Sequence, residues 1–168
     1  MKIFLIGLMG SGKSYWANKA GKALGIPAFD LDKEIEKAEG KTIAEIFAEK
    51  GENYFRLKEN EILKSFADKK DFILATGGGA PCFHDNMEWM NVNGITIWID
   101  EPLAVIAARL QEEKSHRPLI ANVADENLEN FFYEMREKRK PFYSKAKYHL
   151  NSGHLTEKHF IEILSLHE

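Results

Sequence analysis

The sequence predicts an α/β protein whose parallel sheet is covered by helices on both faces. Short apolar runs typical of buried strands alternate with segments in which apolar residues recur at helical spacing. That alternation favours parallel strands joined by helices. A glycine-rich loop follows the first strand pattern and opens the first helix pattern. With 168 residues the chain can bury a substantial core, and we expect one domain over residues 1–168.

The first part of the chain contains two predicted strands and a long helical region. Met1–Ile6 is an apolar run of the buried-strand type, and the helix pattern that begins after Ser14 ends at Gly25. Ile26–Phe29 is a second, shorter strand. Residues 32–67 follow with helical patterns alone, which is more helix than a simple crossover requires. We therefore expect a helical insertion over the sheet that helps to bind a substrate.

The remainder of the chain repeats the alternation of strand and helix. Residues 111–124 interrupt it with a polar, aperiodic segment, which we expect to form a mobile surface lid. The predicted elements are, in chain order, strand Asp71–Ala75, helix His84–Asn91, strand Gly94–Ile99, a helix opened by Pro102, a long helix capped by Asp125 that reaches Lys140 and ends at Pro141, strand Lys147–Leu150, and helix Thr156–Leu166.

Residues Gly7 to Ser14 read G-L-M-G-S-G-K-S and fit the phosphate-binding pattern G-x-x-x-x-G-K-[S/T]. Glycines lack a Cβ atom, so the backbone can turn its N–H groups onto anionic oxygens. Lys13 would place a cation on the outer phosphates and Ser14 would offer a hydroxyl to Mg²⁺. The helix that follows adds its positive N-terminal end. An ordinary glycine-rich turn is the alternative, but it does not require Lys13 and Ser14 at its end.

Two carboxylates follow the second predicted strand. Asp30 and Asp32 are two residues apart at its carboxyl end. There they would point the same way, toward the crevice in which open α/β sheets bind ligands. Alternatively, Asp32 is the N-cap of the helix that begins at Lys33. Capping alone would not require both acids.

Three glycines, Gly77–Gly79, follow the third predicted strand. They would let the backbone approach a ligand closely, although a flexible turn is the simpler alternative.

Arg56 lies beside Phe55 in the helical region. A guanidinium next to aromatic side chains can form a fork on a substrate carboxylate. A surface arginine that pairs with Glu52 or Glu59 is the alternative, and composition alone favours it.

Composition argues against several classes of function. The net charge of −3 gives no reason to expect a nucleic-acid partner. Cys82 is the single cysteine, which excludes a disulfide framework, and packing is its expected role. No stretch approaches the ~20 apolar residues of a membrane span, and the N-terminal apolar run does not have the form of a secretory signal. We expect a cytoplasmic protein that binds neither nucleic acid nor membranes.

Together these motifs resemble the shikimate kinase family over nearly the whole chain. The specific part of the resemblance is an ordered set beyond the phosphate loop: Asp30-Leu-Asp32, Gly51-Glu52 with Phe55-Arg56 and Glu59, Gly77–Gly79, Arg117-Pro-Leu119, and Arg139-Lys-Pro-Phe-Tyr143. The resemblance implies transfer of the γ-phosphate of ATP to the 3-hydroxyl of shikimate, in the route to aromatic amino acids. It also implies a P-loop kinase fold with a five-stranded parallel sheet of order 2-3-1-4-5, a mobile lid, and a monomer.

On the nucleotide side, the resemblance implies a role for each matching position. Ser14 would ligate Mg²⁺, and Asp30 would reach the same ion through water. Arg117 would close over the transferred phosphate, and Arg109 resembles the arginine that packs on adenine. Members usually carry further adenine-side residues at the segment that is Asn151–His154 here, which has no arginine. The implied ATP-binding residues are Gly10, Ser11, Gly12, Lys13, Ser14, Tyr15 and Arg117.

On the acceptor side, the resemblance implies that Arg56 and Arg139 grip the shikimate carboxylate. Gly78 and Gly79 would add backbone contacts. Asp32 would hold the substrate hydroxyls, and it would either accept the proton of the attacking hydroxyl or only orient it. The implied catalytic residues are Lys13, Asp32 and Arg117.

Two other functions are compatible with parts of the pattern. A related kinase of the same architecture, such as a gluconate or nucleotide kinase, would share the phosphate loop. A nucleotide-dependent switch would hydrolyse ATP slowly without an acceptor. The acceptor-side set of Asp32, Arg56 and Arg139 favours the kinase that acts on shikimate.

Overall fold

The computed structural model describes residues 1–117, 119–151 and 155–167. Its centre is a five-stranded sheet with strand order β2-β3-β1-β4-β5, in which every neighbouring pair is parallel. The predicted fold class and strand order are therefore confirmed. The strands are β1 (Lys2–Ile6), β2 (Ala28–Asp30), β3 (Phe72–Ala75), β4 (Ile95–Asp100) and β5 (Tyr148–Asn151).

Helices cover both faces of this sheet. Among the described residues, none of them combines the length and the apolarity that crossing a bilayer demands. They are α1 (Lys13–Leu24), α2 (Leu31–Glu39), α3 (Ile43–Ser65), α4 (Asn86–Asn93), α5 (Leu103–Gln111), α6 (Leu128–Tyr143) and α7 (Glu157–Ser165).

Strand β1 shows why the strands have continuous apolar sequences. Ile3 and Leu5 belong to a core cluster with residues of α1 and α7. Phe4 and Ile6 point the other way, into a second cluster that α2 to α6 complete. Because both faces are buried, apolar side chains occupy successive positions and the alternation of polar and apolar residues is lost. The central strand is thereby fixed, and its carboxyl end leads directly into the phosphate loop.

The helical region predicted over residues 32–67 consists of α2 and α3. Thr42 and Glu45 form a capping box that starts α3. Gly51 interrupts α3 with φ 80° and ψ 173°, which are not helical values. The part of α3 after this kink carries Arg56 and Glu59 toward the carboxyl edge of the sheet.

Two expectations about Asp32 are wrong. Asp32 is not the N-cap of the helix after β2, and it does not lie at the end of that strand. β2 ends at Asp30, whose Oδ1 accepts the N–H groups of Asp32 at 3.0 Å and Lys33 at 3.3 Å. Asp30 is therefore the N-cap of α2, and Asp32 lies in its first turn. With Asp30 in the capping position, the carboxylate of Asp32 is left for another role.

The fourth helix begins at Asn86 and not at His84 as predicted, because of the backbone conformation of the residues before it. His84 and Asp85 have φ values of 49° and 56°, which lie outside the right-handed helical region. The chain forms a short 3-10 turn at Ala80–Cys82 first, and α4 begins only at Asn86.

Asp125 does not cap the long helix, contrary to the prediction. Its carboxylate accepts hydrogen bonds from the side chains of Gln111 at 3.0 Å and Lys114 at 2.8 Å. α6 itself begins three residues later, at Leu128.

Pro141 does not end the long helix either, since α6 continues to Tyr143. Proline cannot donate to the carbonyl four residues earlier. Only the last turn is affected, and Ser144 N–H still donates to Lys140 O at 2.9 Å. Tyr143 is fully buried, so packing holds the final turn in place.

Candidate active site

The phosphate loop leaves the carboxyl end of the central strand and enters α1 at Lys13. Gly7, Gly10 and Gly12 all have positive φ values, and Gly12 is the N-cap of α1. A Cβ atom on Gly7 would lie 2.5 Å from the backbone oxygen of Ile99. Glycine is therefore required at this position by space as well as by conformation.

Lys13 folds back over this loop. Its Nζ donates to Gly7 O at 2.8 Å and to Leu8 O at 2.7 Å, and the residue is 8% exposed. Burial lowers its pKa to about 8, against the opposing effect of the Asp32 carboxylate. The ammonium is thus held where anionic oxygens cradled by the loop would meet it.

Ser14 and Asp30 place two oxygen groups beside Lys13. The Ser14 hydroxyl donates to Oδ2 of Asp30, while Oδ1 of the same carboxylate caps α2. No cluster of three or more His, Cys, Asp or Glu residues suited to a metal occurs in the described part of the chain. Mg²⁺ does not need such a cage, because it typically uses one or two protein oxygens together with phosphates and waters. The pair therefore fits Mg²⁺ in its phosphate-bound form.

Two further residues that are predicted to bind ATP, Ser11 in the loop and Tyr15 in α1, have contrasting environments. Ser11 is fully buried, and its hydroxyl has no hydrogen-bond partner among the described residues. The ring of Tyr15 is mostly in solvent, with the residue 61% exposed, and it lies edge-on to Trp16.

The glycine turn after β3 lies directly against two guanidinium groups. A Cβ atom on Gly79 would be 2.6 Å from Nη2 of Arg56, and one on Gly78 would be 2.8 Å from Nη1 of Arg139. Side chains at these positions would displace the arginines. The predicted acceptor-side residues Arg56, Gly78, Gly79 and Arg139 are thus brought together.

The same turn abuts the phosphate loop. The Cβ position of Gly78 is 3.3 Å from the backbone nitrogen of Met9 and 3.4 Å from the backbone oxygen of Gly7. The loop and the two arginines therefore border one small region at the carboxyl edge of β1 and β3.

Arg56 forms both ion pairs of the surface alternative, but it does not lie on the surface. Nη1 donates to Glu59 at 2.9 Å and Nε to Glu52 at 3.4 Å. Its guanidinium carbon lies 4.2 Å from the ring centroid of Phe83, and the side chain is 11% exposed. The Phe83 ring and Glu59 thus fix the plane of the guanidinium.

Two carboxylates complete the cluster. Oδ1 of Asp32 and Oε2 of Glu59 both lie 3.1 Å from the Cβ position of Gly77. Burial raises the pKa of Asp32 to about 6 and that of Glu59 to about 7. Both groups would therefore change charge between mildly acidic and neutral pH.

Hydrogen-bonding capacity in this cluster is left unused. Nη1 of Arg139 and Oε2 of Glu59 are buried and have no partner among the described residues. A buried polar group without a partner costs roughly 1–3 kcal/mol. A ligand with acceptor and donor oxygens would remove that cost.

The set of site residues derived from the sequence did not include Glu59 or Tyr143. The Tyr143 hydroxyl donates to Gly78 O at 2.5 Å, so it connects the glycine turn after β3 to α6. Two signals were available: both residues belong to the motif set that carries the family resemblance, and both have helical spacing, since Glu59 is three residues after Arg56 and Tyr143 is four residues after Arg139.

Arg117 and Arg109 have other partners in this structure. Arg117 donates to Glu113 through Nε at 3.0 Å and Nη2 at 2.9 Å, although its charge still acts to lower the pKa of Lys13. Arg109 donates to Gly10 O at 2.9 Å. Of the adenine-side segment Asn151–His154, residues 152–154 lie outside the described residues.

Comparisons with known proteins agree on one family. The family model for shikimate kinase matches residues 9–167. A shikimate kinase of Phocaeicola vulgatus is 43% identical over 161 residues, which cover 96% of this chain and 92% of that protein. One of Bacteroides thetaiotaomicron is 40% identical over 162 residues, covering 96% of this chain and 93% of the relative.

Solved structures give the same result. The crystal structure of shikimate kinase from Bacteroides thetaiotaomicron matches with a TM-score of 0.92 and 37% identity over 98% of both chains. Shikimate kinase from Acinetobacter baumannii, in complex with shikimate, matches with a TM-score of 0.86 and 33% identity over 98% of this chain and 91% of that one. This chain belongs to the shikimate kinase family.

Proposed function

We propose that the protein transfers the γ-phosphoryl group of ATP to the 3-hydroxyl of shikimate, giving shikimate 3-phosphate and ADP. The observation that carries the proposal is the position of Gly78. Its Cβ position lies 2.8 Å from Arg139 Nη1 and 3.4 Å from the Gly7 oxygen of the phosphate loop. A small acid whose carboxylate is held by the arginines would therefore lie next to the end of a bound triphosphate, with a hydroxyl group within reach of the γ-phosphoryl group.

On the nucleotide side, the residues would stabilise the negative charge of the ATP phosphates. Backbone N–H groups from Gly10 to Ser14 would cradle the phosphates, and Tyr15 adjoins them. Lys13 is already turned over the loop and would meet the outer phosphate oxygens. Phosphoryl transfer depends mainly on alignment and on such stabilisation, because it requires little covalent help.

We propose Mg²⁺ as the metal, held by the Ser14 hydroxyl and, through water, by Asp30. The existing hydrogen bond between these groups supports the pairing, since it brings both oxygens to one place. When bound, the ion would neutralise negative charge on the phosphate oxygens.

On the acceptor side, Arg56 and Arg139 would bind the carboxylate of shikimate. Two guanidinium groups that converge on one small acid fix its orientation as well as its position. The unpartnered Nη1 of Arg139 supports this role, because a carboxylate oxygen would satisfy it. Backbone atoms of Gly78 and Gly79 would complete the contact.

Asp32 would take the proton of the attacking hydroxyl. The 3-oxygen of shikimate forms a bond to the γ-phosphorus while the bond from that phosphorus to the bridging oxygen breaks, and the electron pair leaves with ADP. A carboxylate whose pKa is about 6 can accept a proton near neutral pH and release it to water afterwards.

Arg117 would neutralise charge on the transferred phosphoryl group after residues 111–124 close as a lid. Its present partner, Glu113, supports this movement because the ion pair is local and partly exposed. The phosphate oxygens would take the place of the Glu113 carboxylate as the partner of Arg117, and they carry more negative charge. Closure would also exclude water as a competing acceptor.

Further parts of the proposal concern organisation and setting. One domain over residues 1–168 with a helical acceptor-binding insertion at 32–67 would act as a monomer, since one chain supplies both sides of the site. A single free cysteine supports a cytoplasmic setting, and the charge of −3 supports the absence of a nucleic-acid partner. Sedimentation of the purified protein measures the oligomeric state.

The test is an acceptor panel. Purified protein with Mg·ATP is given shikimate, quinate, gluconate or a nucleoside monophosphate, and ADP release is followed. We expect acceleration by shikimate well above the blank with ATP alone. Acceleration by gluconate or a nucleotide instead would assign the chain to a related kinase, and slow hydrolysis without any acceptor preference would indicate a switch. Either result overturns the proposed reaction.

A further inference from the structure

A partly buried ion pair connects α6 to the end of β4, outside the set of residues assigned to either substrate. Arg136 binds both carboxylate oxygens of Asp100, with Nε to Oδ1 at 3.1 Å and Nη2 to Oδ2 at 2.6 Å. His149 adds a contact from Nε2 to Oδ2 at 2.8 Å. The Asp100 side chain is only 10% exposed. This is a bidentate, charge-assisted contact in a partly buried position.

The sheet places the partners of this ion pair. Trp98 and Asp100 are two residues apart on β4 and so face the same side, and the parallel register sets His149 opposite Trp98. The rings of Trp98 and His149 stack at 4.0 Å with an interplanar angle of 7°. The Arg136 guanidinium carbon lies 5.4 Å from the Trp98 ring centroid. The position of Arg136 is thus restricted by a ring face as well as by the carboxylate.

Asp100 remains ionised in this environment. Burial raises its pKa, but the hydrogen bonds from Arg136 and His149 outweigh that effect and hold the pKa below its ordinary value. If either partner of such a pair is removed, the other is left charged and poorly solvated.

One face of α6 links this ion pair to the acceptor site. Arg136, Arg139 and Tyr143 follow one another at spacings of three and four residues, so they lie on the same side of the helix. Tyr143 packs on Trp98 with ring centroids 5.6 Å apart and donates to Gly78 O at 2.5 Å. α6 is therefore attached at Asp100 on one side of Arg139 and at Gly78 on the other.

We propose that Asp100 and Arg136 are positioning residues that set the rotation and the axial position of α6, so that Arg139 faces the carboxylate of the acceptor. The inference rests on the proposed function for the identity of that acceptor. Neither residue touches the substrate in this scheme. Arg139 is three residues from Arg136, so a loss of the ion pair would move its guanidinium relative to Gly78, and displacements of about 1 Å can cost on the order of 100-fold in activity.

The experiment compares Asp100→Asn, Arg136→Met and Arg136→Lys with the unaltered protein. We expect Asp100→Asn and Arg136→Met to raise the KM for shikimate about tenfold or more, since they misplace Arg139. The KM for ATP should stay within about twofold, because the fork between Arg136 and Asp100 includes no residue of the phosphate loop. Arg136→Lys keeps the charge and loses the fork, so we expect an intermediate KM for shikimate.

The matched control is Glu137→Gln. Glu137 lies next to Arg136 on α6, and its carboxylate is 3.7 Å from Nη1 of Arg136 in a more exposed position. Its removal leaves the fork on Asp100 intact, so kinetics should be unchanged. The double variant Asp100→Asn/Arg136→Met should be no worse than the poorer single variant, because both changes break the same contact.

Equal changes in both KM values, or an unchanged KM for shikimate in Asp100→Asn, would overturn the inference. A crystal structure of Asp100→Asn without ligands provides a measurement that does not depend on the substrate. We expect the guanidinium of Arg139 to be displaced from Gly78, and an unchanged position would overturn the positioning role. If shikimate fails as an acceptor but Arg139 moves, the proposed reaction falls while the positioning role stands.

Discussion

The two sides of the site are built in opposite ways. The phosphate loop is a run of eight successive residues, Gly7 to Ser14, whose shape follows from its glycines and from the end of β1. The acceptor side takes side chains from α2, α3 and α6 and places them against the turn after β3. One side is encoded locally, whereas the other exists only when distant elements pack correctly.

The two sides also differ in how their polar groups are satisfied. Lys13 already donates to two loop carbonyls, so its buried ammonium has partners. On the acceptor side, Arg139 and Glu59 keep buried atoms without partners among the described residues. The charged group of the loop therefore has its partners without a ligand, and of the loop's buried side-chain atoms only the neutral hydroxyl of Ser11 lacks one among the described residues, whereas the acceptor cluster leaves atoms of charged side chains without hydrogen bonds. Substitutions should separate these two behaviours.

The largest effect is expected from Lys13→Ala, which removes the cation from the phosphate side. Turnover should fall by at least about 100- to 1000-fold with any acceptor, as for the loss of other groups that stabilise transition-state charge. Steady-state ADP release measures it. Binding of shikimate, measured by calorimetry, should remain, and a parallel loss of shikimate binding would contradict the separation of the two sides.

A smaller effect is expected from Gly79→Ala, which acts on the acceptor side alone. Gly79 has φ −87°, so alanine fits the backbone, but its Cβ would lie 2.6 Å from Nη2 of Arg56. The KM for shikimate should rise roughly 10- to 100-fold through displacement of that guanidinium. The KM for ATP should change little.

Cys82→Ala is the matched control for Gly79→Ala. It lies three residues further along the same turn, is half-buried, and has no assigned role in the site. Its kinetics should resemble those of the unaltered protein. If both variants raise the KM for shikimate equally, the turn is sensitive to any change and the specific clash with Arg56 is not the cause.

The smallest effect on turnover is expected from pH. Asp32 has a pKa of about 6 and must be ionised to accept a proton, so kcat/KM for shikimate should fall about tenfold per pH unit below that value. A rate profile from pH 5 to pH 8 measures it. A profile without this acidic limb would indicate that Asp32 only orients the hydroxyl.

Stability should change with pH in the opposite direction. Burial raises the pKa of Asp32 from 3.8 to about 6, so its favourable contribution to folding is present below about pH 4 and is lost as the pH rises through 6. At pH 8, Asp32→Asn should therefore increase the free energy of unfolding by up to about 3 kcal/mol. Urea denaturation should find a smaller gain at pH 5.

The sequence was sufficient for the features that depend on neighbouring residues. One example is the segment from β1 through the glycine loop to α1. It could be predicted because the apolar run, the glycines and the helical spacing each depend only on residues nearby in the chain. The sheet order came from the family resemblance, and not from the strand patterns themselves. The assignment of the acceptor-side residues to one site also came from the family resemblance.

The errors arose where packing between distant elements decides. Pro141 predicts a helix end, but the burial of Tyr143 and its bond to Gly78 carry α6 two residues further. Asp30 captures the first N–H groups of α2, so the capping alternative for Asp32 fails. The complete burial of Glu59 cannot be derived from its helical spacing, because Arg56 and the glycine turn enclose it from other parts of the chain.

The burial of Ile120 has a consequence for the way in which the proposed lid, residues 111–124, would move. Ile120 is fully buried in the core although its neighbours in the chain are polar or exposed, and its N–H donates to Arg117 O at 3.1 Å. Withdrawing an isoleucine side chain from a core costs about 1.5–3 kcal/mol. A swing of Arg117 about Ile120 avoids that cost. The segment is thus anchored at Ile120, and the proposed closure over a bound nucleotide would turn it about this residue and would not require it to fold.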